Sequence, residues 1–151
     1  MLIGNYVELI ERNETTLRDS LQKVASRHKA EPDIMETCVK IASWSDVHLT
    51  NLRPLLERYG TGAKTEPERV EKGLFHGLRK GGIGLLRDLH DLYILATETR
   101  VTYEILKQGS EALHDKELEE FCLDSMKETI RQLHWIETRI RQAAPQVLVA
   151  T

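Results

Sequence analysis

In the stretch "ASWSDVHLTNL" (residues 42–52), Ser45 and His48 stand three positions apart among apolar residues. Three residues is close to one helical turn, so on a helix the hydroxyl and the imidazole share a face. Such a pair can take part in proton transfer, ligate a metal, or satisfy a polar spot in a core. An acid partner at helical spacing is missing, because Asp46 faces elsewhere. No Ser/His/Asp or Cys/His nucleophile arrangement is formed, and no catalytic residue is assigned. Carboxylates occur at a matching depth elsewhere. Glu14 lies between Ile10 and Leu17, while Glu98 and Glu128 fall later in the chain. Their use depends on the elements that carry them.

Four stretches have helical periodicity. In the first, Ile3, Tyr6, Ile10, Leu17, Leu21 and Val24 recur at steps of three and four, which predicts a helix over about 3–28. Pro32 suits a first helical turn. From there Ile34, Cys38, Ile41, Ser45, His48, Leu52, Leu55 and Tyr59 form a second stripe that Gly60 ends, with a kink expected near Thr50 because Pro54 lies inside. A third helix is expected over about 84–109, with Leu85, Leu89, Leu92, Ala96, Tyr103 and Leu106 inward. In the fourth, Leu118, Cys122, Met126, Leu133, Ile136 and Ile140 point inward and Pro145 closes the helix. Residues 60–84 differ: they hold seven of the nine glycines and a capped amphipathic fragment beginning at Thr65, read as a short helix in a long connection.

The connection lengths set the topology. Helices one and two, and three and four, are joined by short links, so each pair forms an antiparallel hairpin. The middle connection can reach ~70 Å when extended, whereas a helix of this length spans only ~40 Å. A crossover that leaves helices two and three parallel is therefore accessible. The expected fold is all-α, a single four-helix-bundle domain over 1–151 with a crossover at about 60–84.

Composition narrows the function. A net charge of −3 with mixed signs argues against a nucleic-acid partner. No apolar run approaches the ~18 residues of a membrane span, and the first residues lack the basic start of a secretory signal. Cys38 and Cys122 have no metal-type spacing and are expected at opposite ends of the bundle, unpaired. A cytoplasmic protein is the expectation.

Over its whole length the pattern resembles the ferritin-like four-helix bundles. The ending "RQLHWIETRIRQAAPQVL" is similar to small bacterial members. The resemblance implies a two-hairpin bundle with a long crossover and, for the di-iron members, a Glu on two helices with Glu-x-x-His on the other two. The levels agree: Glu14, Ser45–His48, Ala96–Thr99 and Glu128–Gln132 fall at one depth. The residue types do not. Serine precedes His48 where the motif needs Glu, Glu128 is followed by Arg131 where it needs His, and Thr99, Thr129 and Gln132 take inward places. At about 100° per residue, Glu98 and Glu128 point off the stripe.

Two readings stay open. In one, Glu14, Ser45, His48, Thr99, Thr129 and Gln132 form a buried polar layer, no cofactor is bound, and the protein is a non-catalytic binding or structural protein with a protein or small-molecule partner. In the other, Glu14 and His48, joined by Glu98 and Glu128 if the helices rotate, hold iron or manganese for iron handling or oxidase chemistry. Helix three also carries a second apolar face, Ile94, Val101 and Ile105, with Glu98 among them. Either the crossover helix packs there or the face makes a homodimer.

Overall fold

A computed structural model describes residues 2–60, 74–75 and 81–150. The described residues form four helices and no strand: α1 (Ile3–Arg27), α2 (Pro32–Tyr59), α3 (Gly81–Ala112) and α4 (Lys116–Leu148). The short helix expected in the crossover lies outside the described residues.

Each end has a local cause. Pro32 opens α2 at a position where the absent N–H is not needed. Gly60 stops it: its N–H reaches the Leu56 carbonyl at 2.7 Å, and a Cβ at Gly60 would stand only 2.4 Å from that oxygen. Asp115 caps α4 by accepting the Leu118 N–H. The same carboxylate takes hydrogen bonds from Arg58 and Tyr59, tying the end of α2 to the start of α4. Three boundaries differ from expectation. α3 runs on to Ala112, and it begins three residues earlier, at Gly81, because Gly82 and the exposed Ile83 add no buried apolar residue that periodicity could register. α4 runs through Pro145 to Leu148. Proline there removes a single bond, to the exposed Arg141 carbonyl that water can reach, and its own carbonyl still accepts the Val149 N–H. Likewise α2 continues past Pro54, whose missing donor would have served Thr50 on the exposed side.

Side-chain bonds give the helix directions. On the α1–α3 side, Asn13 donates to Thr102 and His28 meets Asp88, so the two helices run in opposite senses. On the α2–α4 side, Gln132 reaches the Ile41 carbonyl, His48 meets Glu128, and Arg139 pairs with Asp33. These two are antiparallel as well. Because α1 and α2 form a hairpin, α2 and α3 run parallel, diagonally across the bundle.

Two apolar clusters fill the interior. One, toward the α1–α2 turn, contains Leu17, Leu21, Ile34, Ile41, Leu89, Leu92 and Ile136. The other, at the opposite end, contains Val7, Ile10, Leu52, Leu55, Leu106, Leu118 and Phe121. Cys38 belongs to the first and Cys122 to the second, both reduced and fully buried. Burial pushes each thiol up to about 12, far from the thiolate that reacts. An aromatic disulfide reagent at mildly alkaline pH should therefore leave both cysteines untouched in the folded protein and titrate both in guanidinium. Rapid labelling of either one in the native state would contradict this packing.

Candidate functional site

Between the two apolar clusters lies a polar layer. Glu14, Ser45, His48, Thr99, Thr129 and Gln132 are all buried, at 0–2% exposure. Their helices place them at one depth, but their side chains do not all meet. Thr99 and Thr129 turn back to the Leu95 and Ser125 carbonyls of their own helices, at 2.8 and 3.0 Å. Gln132 crosses to α2, donating to the Ile41 carbonyl at 2.8 Å and to the Ser45 hydroxyl at 3.2 Å.

His48 is the centre. Its Nδ1 bonds Glu14 Oε2, and its Nε2 bonds Glu128 Oε1 at 2.8 Å. With Glu14 and Glu128 as carboxylates, whose oxygens only accept, both ring nitrogens donate and the ring is an imidazolium. Burial alone drives the His48 pKa down, yet the bonds and charges of Glu14 and Glu128 together raise it above the ordinary histidine value. Tyr103, from α3, donates to Glu14 Oε2 at 2.6 Å and sets its ring edge-on to the imidazole. Burial, then the neighbouring Glu14 charge, hold the phenol pKa well above its usual value, so it remains a donor. All four helices contribute to one hydrogen-bonded line: Glu128, His48, Glu14, Tyr103.

One sequence expectation changes here. Glu128 does not point away. A glutamate side chain is long enough to bend from its Cα direction, and this one reaches His48 while its carboxylate keeps 35% exposure. Glu98 forms no bond in the layer; it sits half-buried on the outer side of α3. Arg131, which stands where the di-iron motif needs His, stacks its guanidinium 4.6 Å from the centre of the Trp44 ring. The cation of the site is His48. Tyr103 was visible only as an inward aromatic, and nothing in its spacing marks the phenol as a donor.

A second buried polar group has no counterpart in the sequence reading. Asp88 is 0% exposed. It accepts from His28 Nε2 at 2.8 Å and from Arg27 at 3.4 Å, locking the end of α1 to α3. Its position three after Leu85 and one before Leu89 was the available signal. Asp91 accepts the Phe75 backbone N–H at 2.9 Å. An apolar groove of about 330 Å³ opens at the other end of the bundle, lined by Leu2, Ile3, Tyr6, Ile105, Gly109 and Leu113.

Among the described residues no group of three or more His, Cys, Asp or Glu is arranged to hold a metal ion. The donor chemistry agrees. Both His48 nitrogens carry protons, and Glu14 Oε2 is committed to His48 and Tyr103. Glu14 Oε1 is a buried carboxylate oxygen without a donor among the described residues.

His48→Gln leaves Glu14 buried without its cation and should destabilise the fold by about 3–5 kcal/mol. Tyr103→Phe, which removes one donor, should cost about 1–3 kcal/mol. Chemical denaturation measures both, and a His48→Gln loss below 1 kcal/mol would contradict the imidazolium assignment. Because the folded pKa of His48 lies above the unfolded one, its contribution is complete below the unfolded value of ~6.5 and fades as pH rises through the folded value. The stability difference between wild type and His48→Gln should accordingly shrink at alkaline pH; a difference that grew would reverse the sign. In comparison with known proteins, no family model, no curated protein and no solved structure matches this chain.

Proposed function

We propose that the chain is a ferritin-like bundle whose interior polar layer is closed by its own side chains instead of a di-metal centre. It acts as a non-catalytic scaffold that binds a protein or small-molecule partner, and it works as a homodimer. The observation that carries this reading is His48 donating to a carboxylate from each ring nitrogen. An imidazolium has no lone pair for a metal, and its charge stands where a cation would otherwise balance Glu14 and Glu128. The parallel course of α2 and α3, with a connection long enough to cross the bundle, supports the ferritin-like arrangement.

Residues for a di-iron centre do not fit. Such a centre needs four carboxylates and two neutral imidazoles; the layer has Glu14, the half-buried Glu128 and one protonated ring. Ser45 occupies a carboxylate's place and Thr99, Thr129 and Gln132 are neutral. One observation favours a second reading. Glu14 Oε1 is buried without a donor, which would suit a single hard cation bound by Glu14 with His48 deprotonated and Glu128 beside it. Iron or manganese would be the ions, with iron handling or an oxidase activity as the role. Glu98 would take no part from its place on α3.

Metal content separates the two. Protein from cells supplemented with iron and manganese should carry far less than one ion per chain, and Glu14→Ala should carry no less than wild type. Near-stoichiometric metal that disappears in Glu14→Ala would replace the scaffold reading with the second.

A further inference from the structure

α3 differs from the other helices in carrying apolar side chains on two opposite faces. Its inward face carries Leu85, Leu89, Leu92, Ala96, Tyr103 and Leu106. On the opposite side Ile83, Ile94, Val101 and Ile105 form a second stripe, and Ile83, Val101 and Ile105 are 54%, 39% and 46% exposed. A helix apolar on both sides is the pattern of one covered on both sides. Of the described part of the connection, Phe75 donates its backbone N–H to Asp91, which lies off this stripe.

The charges on the stripe are informative. Arg87 and Glu98 lie on it eleven positions apart, about three turns, and neither side chain has a hydrogen-bond or ion-pair partner among the described residues. Ile83 and Val101 flank them, and Ile94 lies between. Laid antiparallel on itself about a twofold axis near residues 92 and 93, the order Ile83, Arg87, Ile94, Glu98, Val101 is its own complement. Isoleucine meets valine, arginine meets glutamate, and the two Ile94 side chains flank the axis. Reversal of another protein's helix would have no reason to match in this way.

We propose that this stripe is the interface through which two copies of the chain pair, with Arg87 of each copy bonded to Glu98 of the other and Ile83 seated against Val101. The inference gives the homodimer of the preceding reading its surface and register. The stretch from Ile83 to Val101 is about 28 Å long, and with the flanks of α1 and α4 about 20 Å wide, so each copy covers roughly 600 Å². That lies at the lower bound for a stable interface, and the dimer exchanges with monomer on dilution.

Sedimentation velocity over a concentration series into the high-micromolar range tests it. Wild type should pass from monomer to dimer. Arg87→Glu and Glu98→Arg, each placing like charges together, should each weaken the dimer roughly tenfold or more, and the double variant should return to near wild-type affinity. Ile94→Glu should abolish dimers. All three positions are on the outer side of α3, and circular dichroism checks that each variant remains folded. A monomer at every concentration, a dimer that survives Ile94→Glu, or a double variant no stronger than the singles would each overturn the proposal. Metal content is unaffected by any of these outcomes, so the scaffold reading stands or falls separately.

Discussion

One buried cation organises this molecule. His48 has no water to share its charge with, and it is held by carboxylates on either side, one from α1 and one from α4. Four helices with only leucine and isoleucine between them could slide by a turn and lose little, since apolar contacts are interchangeable. An imidazolium clamped between two acids cannot slide without leaving a charge unpaired in the core. The layer therefore fixes the vertical register of the bundle. The apolar clusters above and below supply most of the burial energy, and the layer selects which of their packings is kept.

The sequence disclosed this arrangement unevenly. Helices α1 and α2 were legible because Ile10, Leu17, Leu21, Leu52 and Leu55 repeat at helical steps and Pro32 and Gly60 mark the bounds of α2 by backbone chemistry. The depth of Glu14, Ser45 and His48 followed from counting turns. Partner choice did not. Counting places Cα atoms, whereas Glu128 and Tyr103 meet their partners through the far ends of long side chains, whose direction is settled by packing. Asp88 was hidden for a different reason. An acid between leucines reads as the polar edge of a stripe, and only the approach of His28 and Arg27 from α1 turns it inward.

α3 carries two demands at once. Inward it delivers Tyr103 to the layer and Asp88 to the end of α1; outward it presents isoleucine and valine to whatever lies beyond. The two faces are tied together, since a rotation of α3 that hid its outer stripe would withdraw the phenol from Glu14. The outward residues thus stay exposed in a single chain because the inward ones are already committed.

The Glu14 bonds also say something about time. Its partners come from residue 48 and from residue 103, and the imidazole is completed by residue 128. A nascent α1–α2 hairpin can bring Glu14 to His48 but has neither the phenol nor the second acid, and one wall of its core is open. Closure over separations this large is slow compared with local helix formation. The hairpin leaving the ribosome is consequently an unfinished half, whose most polar residue faces the surface that α3 and α4 will later cover. The layer closes only when α4 arrives with Glu128.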